Sequence, residues 1–290
     1  MLAKRIGIDV GASSVLIYVR GQGVVVNEPS ADGEPRAELT EGTLRKLISR
    51  VQGRQLRLFK PEVMIGVPST VSSGERLAAT EAAISAGARQ AWLIDEPLAA
   101  AIGANLPIGE RRAHAICDIG GHTTEIAVIA LSGLVVAQAI PVGGKSIDDA
   151  ILAHLHRRHG IVVDGRTAEE IKIAVGSALP LREPLSFEVS GVEISSAELV
   201  EPIQKPLKQI AAAIRRVLKQ APRRRAADVK ERGILLTGGG ALLRGIDRYL
   251  ARQLRVPVRV AEDPQTCVVR GTGQALDQFE VLKRNQLYLR

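Results

Sequence analysis

The chain has 290 residues, 46% hydrophobic and 24% charged, a balance that excludes a disordered or fibrous protein and leaves room for about two lobes. Three Phe, three Tyr and one Trp leave Ala, Val, Ile and Leu to build the core, and they exclude a single-strand nucleic-acid reader that stacks bases on aromatic platforms. Of the formal charge of +8, the stretch from Lys205 to Arg232 carries the whole surplus, as a solvated helix face or as a patch for a polyanion.

In chain order, Arg5 to Val10, Ser14 to Val19 and Gly23 to Asn27 are rich in β-branched residues, with turns between them, and predict an antiparallel meander. Helical spacing follows over Leu39 to Val51, then a buried strand at Val63 to Val67. The next helix spans Ser72 to Gly87, where Ser72 and Glu75 suit a capping box. A strand at Ala91 to Ile94 leads into an Ala-rich helix. The meander then returns at His114 to Ile119, Thr123 to Leu131 and Leu134 to Val142, so the chain repeats itself in two halves.

The second half continues with a helix over Ser146 to His159. An insertion from about 160 to 232 holds a helix at Ala168 to Ala178, a hairpin within Leu185 to Ile194 and a long helix apolar at Leu199, Ile203, Leu207, Ile210, Ile214 and Val217. Pro202 and Pro206 are expected to kink or restart that helix. A strand at Gly233 to Thr237, a helix at Ala241 to Leu254 and a strand at Val256 to Val260 complete the pattern of two α/β lobes. Cys117 and Cys267 are too few for a disulfide framework or thiolate cluster, which fits a reducing cytoplasm. Asp9 interrupts the apolar stretch a signal peptide needs, and no run of 18 apolar residues occurs, so the expectation is a chain neither secreted nor membrane-spanning.

Asp9-Val10-Gly11 and Asp118-Ile119-Gly120 occupy the same place in each repeat, which sets two carboxylates facing each other at the floor of a cleft. Such a pair suits a hard cation that keeps its waters and binds substrate phosphates. The turns that follow, Gly11-Ala12-Ser13-Ser14 and Gly120-Gly121-His122-Thr123-Thr124, offer backbone N–H groups and hydroxyls to an anion. A third cluster, Gly238-Gly239-Gly240, stands between a strand and a helix, while no P-loop element is present.

These motifs, together with Asn27-Glu28-Pro29-Ser30, Asp95-Glu96-Pro97-Leu98-Ala99-Ala100-Ala101-Ile102-Gly103, Glu125 and the tail from Ala261 to Gly271, resemble the bacterial actins of the MreB family over nearly the whole chain. The resemblance implies a duplicated, ribonuclease-H-like actin fold. Residues 1–112 plus 264–290 would form the first lobe and residues 113–263 the second, with ATP and Mg2+ in the cleft. It assigns the metal to Asp9 and Asp118, the phosphates to Gly11, Ala12, Ser13 and Ser14 and to Gly120, Gly121, His122 and Thr123, and the adenosine to Gly238, Gly239 and Gly240. Glu169 and Lys172 resemble the pair that holds ribose and base; by spacing alone they make an i, i+3 ion pair. Glu96 is the candidate for positioning the attacking water, with Thr123 assisting and Asp95 able to exchange roles with it. Read without the family, Glu96-Pro97 starts a helix.

Leu56, Leu58 and Phe59 alternate with Arg54, Arg57 and Lys60, which suits either an anionic membrane interface or a strand lead-in packed on the core. The resemblance implies that Leu58 and Phe59 insert into the inner membrane. The basic stretch from Val281 to Arg290 either adds lipid contact or closes the first lobe.

Two departures qualify the likeness. After Ser30 only Ala31 to Glu38 precedes the next helix, so most of subdomain IB is missing and the cleft should be more open. His122 stands where the family has glycine, and either crowds the terminal phosphate or, if protonated, attracts it. The expectation is an MreB-type slow ATPase that assembles into filaments at the cytoplasmic face of the cell membrane. Its partners would be a full-length MreB or the cell-wall synthesis machinery, with no nucleic acid. The alternatives are a non-polymerising nucleotide-binding adaptor and a kinase of the sugar-kinase type.

Overall fold

The computed structural model describes residues 4–30, 39–52 and 60–277. The first repeat holds β1 (Arg5–Val10), β2 (Ser14–Val19), β3 (Gly23–Pro29), α1 (Glu41–Gln52), β4 (Glu62–Val67), α2 (Ser73–Ser85), β5 (Gln90–Asp95) and α3 (Glu96–Gly103). The second holds β6 (His114–Ile119), β7 (Thr124–Ala130), β8 (Gly133–Ile140), α4 (Gly144–His159), α5 (Gly165–Val175), β9 (Ser186–Val189), β10 (Val192–Ser195), α6 (Ser196–Gln220), α7 (Arg223–Arg232), β11 (Ile234–Thr237), α8 (Ile246–Leu254) and β12 (Val258–Val260). The closing helix α9 (Cys267–Asp277) returns to the first sheet.

The two five-stranded sheets have the same order, β3-β2-β1-β4-β5 and β8-β7-β6-β11-β12. In each, the meander pairs antiparallel, and its first strand then pairs in parallel with a strand reached through helices. The apolar stripes of α1 and α2 close the core over β1 and β4, where Ile6, Ile8, Val63 and Ile65 meet Leu44 and Ile48. A separate core forms where α4, α6 and α8 cover the second sheet.

Helices α3 and α9 fill the space between the sheets, packing Leu98 and Ile102 with Met64 of β4, Ile116 of β6, Leu235 of β11 and Cys267. Small residues make this possible. A β-carbon added to Gly271 would stand 1.7 Å from the carbonyl oxygen of Ala99, so the helices touch backbone to backbone.

Several elements differ from expectation. Helix α6 runs unbroken through Pro202 and Pro206, so neither proline restarts it. Each proline costs about 3 kcal/mol in a helix interior, but the six predicted apolar positions are all fully buried, and each contributes about 1.5–3 kcal/mol. The burial outweighs the two lost backbone bonds.

Helix α5 begins three residues early because the Asp164 carboxylate accepts the Thr167 amide and caps it. The helix predicted over Ala241 to Leu254 is broken. A 3-10 turn spans Gly239–Leu242, and the chain restarts as α8 after Gly245, whose φ of 70° is left-handed.

Helices α7 and α9 were not expected. Asp228 anchors α7, accepting the Ala113 amide and pairing with Arg112, and within the basic stretch Arg225 pairs with Asp228 and Arg232 with Glu110. The capping box of Ser72 and Glu75 forms as predicted. Both cysteines are buried and free. Among the described residues, no helix is long and apolar enough to cross a membrane. Leu58, Phe59, the linker from Ala31 to Glu38 and the stretch from Val281 to Arg290 lie outside the described residues.

Candidate functional site

The duplication produces two matching turns. At the end of β1 the Gly11 amide donates to the Ser14 carbonyl at 2.9 Å, and at the end of β6 the Gly120 amide donates to the Thr123 carbonyl at the same distance. Asp9 and Asp118 each lie two residues before these glycines, in equivalent strand positions.

Each loop is braced from behind. Ser30 donates its hydroxyl to the Gly11 carbonyl at 2.6 Å and its amide to the Ser13 carbonyl. The amides of Gly144 and Lys145, the first of α4, donate to the carbonyls of Gly120 and Gly121 at 2.9 and 2.7 Å. These bonds occupy loop carbonyls and leave the opposite side of each turn free for an anion.

The loops also meet. A β-carbon on Gly121 would stand 1.8 Å from the Ser13 hydroxyl, so a side chain there would have to displace Ser13 where the two loops meet. His122 follows, half-buried, and its Nδ1 finds no hydrogen-bond partner among the described residues. Thr123 is exposed at the rim.

The two aspartates are buried, and this decides their chemistry. Burial first, and the nearby charge of Asp118 second, raise Asp9 from 3.8 to about 7. Burial also raises Asp118, to about 6, held back by the Thr237 hydroxyl, which donates to its Oδ1 at 2.7 Å. Two buried carboxyls that repel each other suit a divalent cation, which would offset their charge. Thr237 reaches Asp118 because β11 and β6 pair in parallel with these residues in register. Sequence reasoning passed over it, although a Thr immediately before the glycine cluster was the available signal.

Gly238, Gly239 and Gly240 follow Thr237 directly, so the third glycine loop adjoins Asp118. The Gly238 amide donates to the Pro264 carbonyl at 2.9 Å. Glu96 opens α3 at the end of β5 and is half-buried. Its neighbour Asp95 is held by Arg76 of α2.

Glu125, one residue into β7, is the buried group that sequence reasoning left unassigned. Its Oε2 accepts the amide and hydroxyl of Ser69, just beyond β4, at 3.2 and 2.9 Å, so one carboxyl joins the two sheets beside the aspartates. Lys172 lies 3.8 Å from Glu169, as its spacing predicts. Its stronger partner is the buried Asp148 of α4, at 2.9 Å, and it also donates to the Gly144 carbonyl at 3.5 Å. That places the ammonium behind the second loop, while Glu169 is largely exposed. Asp148 carried no signal in the sequence, since its pairing joins two helices.

The geometry is therefore two glycine turns in contact, two buried aspartates and a third glycine loop, an arrangement that can hold a polyphosphate and a divalent cation. The profile of the MreB/Mbl protein family matches residues 36–284. The cell shape-determining protein MreB of Escherichia coli is 38% identical over 331 aligned positions, covering 97% of this chain and 95% of that protein. At least 41 of those positions therefore face gaps in the 290-residue chain. Crystal structures of MreB5 of Spiroplasma citri bound to ADP and to AMPPNP superpose with a TM-score of 0.87 each, at 28% and 27% identity. They cover 98% and 99% of this chain, and 98% and 100% of theirs. The MamK double helical filament shares the fold at a TM-score of 0.75 and 20% identity, over 95% of this chain and 99% of that one.

Proposed function

The chain belongs to the MreB/Mbl protein family, and from that premise we propose that it binds Mg-ATP in the cleft between its lobes, hydrolyses it slowly and assembles into filaments at the cytoplasmic face of a membrane. The observation that carries this reading is the pair of matched Asp-x-Gly turns, which brings two buried, mutually repelling carboxyls and two touching glycine loops to one place. The ADP and AMPPNP bound to the Spiroplasma relative support a nucleotide as the ligand.

Asp9 and Asp118 would hold the magnesium through its waters, and a cation there would offset the burial that raises their proton affinity. A magnesium ion held there would supply positive charge against the phosphates. The backbone of Gly11 to Ser14 and of Gly120 to Thr123 binds the phosphates, and Gly238 to Gly240 lies along the adenosine. Glu169 serves the ribose, and Lys172 acts from behind through Asp148 and the start of α4. Glu96 orients the attacking water with Thr123, while Asp95, engaged by Arg76, positions α2 against α3. Little covalent work is asked of the protein in phosphoryl transfer, and positioning supplies most of the rate. Slow turnover suits a switch in which the triphosphate closes the lobes and its loss loosens them.

In this reading residues 1–112 and 264–290 form one lobe and residues 113–263 the other, with the insertion at 160–232. Leu58 and Phe59 contact the membrane. One observation favours a second reading, a nucleotide-binding adaptor that modulates a full-length relative: only Ser30 to Thr40 joins β3 to α1, too short to supply the extra filament contacts of a longer chain.

Glu96→Ala separates binding from chemistry. Fluorescent ATP should bind with unchanged affinity while phosphate release falls at least about 100-fold, the scale of losing a positioned proton-transfer group. Unchanged release removes Glu96 from the mechanism, and no binding by the unaltered chain removes the nucleotide reading itself.

A further inference from the structure

Three of the five histidines of the chain lie within six residues, His154, His156 and His159, at the end of α4. Two of them turn toward the same atom. His154 Nε2 is 3.4 Å and His159 Nε2 2.9 Å from Oε2 of Glu198, which stands in the first turn of α6. The rings are 6.3 Å apart and inclined at 74°, as two ligands arranged around one point would be.

All three donor atoms lie within 4.8 Å of one another. Ligands at about 2.0–2.2 Å from a tetrahedral zinc ion stand about 3.3–3.5 Å from each other. The His154 to Glu198 separation already matches, and the shorter contact needs an opening of roughly 0.5 Å.

The carboxylate is prepared for this role. Its other oxygen accepts the Ser195 amide at 2.8 Å in the capping box of α6, which fixes the orientation of Oε2 as an outer-shell partner does. The three side chains are partly exposed, at 16–21%, which leaves solvent access for a fourth, water ligand.

From this juxtaposition we infer a transition-metal site of the zinc class, formed by His154, His159 and Glu198, that pins the end of α4 to the start of α6. Imidazole nitrogens with one carboxylate suit zinc, cobalt or nickel and differ from the all-oxygen set that magnesium prefers. The site is separate from the cleft. His154 is eleven residues beyond Gly143, or about 16 Å along the helix from the glycine loops.

The test uses the full chain without nucleotide, titrated with zinc chloride by calorimetry and with cobalt chloride by visible absorption. The unaltered chain should take up one ion at this site and give cobalt d–d bands. His154→Ala with His159→Ala should weaken zinc binding at least about 100-fold, beyond the 10–100-fold typical of losing an outer-shell partner. Glu198→Gln, which keeps a capping acceptor for the Ser195 amide and so preserves the helix start, should weaken it as well. His156→Ala, exposed on the same helix, should bind as the unaltered chain does. No saturable uptake by the unaltered chain, or the same affinity in all four proteins, overturns the site.

Discussion

Replacing Glu125 with glutamine separates the charge of one buried carboxyl from its hydrogen bonds. Glutamine keeps an oxygen to accept the Ser69 amide and hydroxyl, so the link between the two sheets survives and only the ionisation is lost. Glu125 is raised from 4.5 to about 7, by burial first, with the Ser69 bonds pulling it down and the charges of Asp118 and Asp95 pushing it up. A carboxyl that holds its proton more tightly in the folded state contributes stability that is fully present below pH 4.5 and is lost as pH rises toward 7. At about 1.4 kcal/mol for each tenfold change in proton affinity, that window carries at most ~3.5 kcal/mol.

Without magnesium or nucleotide, the glutamine variant should therefore be more stable than the unaltered chain at pH 8 by ~1–3 kcal/mol and equal to it below about pH 4. Thermal unfolding followed by circular dichroism reads this as a difference of about 2–4 °C for each kcal/mol. Asp9 and Asp118 titrate in both proteins, so their effect largely cancels in the comparison. Glu125→Ala, which removes the acceptor too, should lose stability at both pH values. A glutamine variant less stable at pH 8, or a difference independent of pH, would refute the reasoning.

Other perturbations probe different parts of the molecule. Gly271→Ala forces a methyl against the Ala99 carbonyl between α9 and α3. Urea denaturation should show a loss of about 1–3 kcal/mol or more, and a loss under 0.5 kcal/mol contradicts the backbone contact. Asp9→Asn should stabilise the metal-free chain at pH 8 while weakening Mg-ATP binding at least about tenfold, or ~1.4 kcal/mol; equal affinity in titration removes Asp9 from the metal site. The pair Leu58→Ser and Phe59→Ser should abolish sedimentation with anionic liposomes, and undiminished sedimentation assigns those side chains elsewhere.

Much of the fold was legible because two signals repeat. The meander of β1 to β3 returns as β6 to β8, and the Asp-x-Gly turn closes both with the same hydrogen bond. The stripe from Leu199 to Val217 marked α6 correctly, but local propensity overstated its prolines, whose cost burial overrides. What stayed hidden depends on contacts between distant segments. No element was predicted for α9, whose Gly271 and Gly273 let helices and strands approach closely. Lys172 pairs with Asp148 rather than only with its neighbour Glu169, and Glu125 reaches Ser69 across two sheets. No periodicity along the chain reports such pairings, nor the convergence of His154 and His159 on Glu198.

The most direct test of the central claim is negative-stain microscopy of the full chain on an anionic lipid monolayer, with Mg-ATP and without nucleotide. The account predicts ordered filaments that require both the nucleotide and the lipid and that disappear in the Leu58→Ser, Phe59→Ser variant. Measurable ATP binding with no filaments under any condition would contradict it and leave the adaptor as the function of this chain.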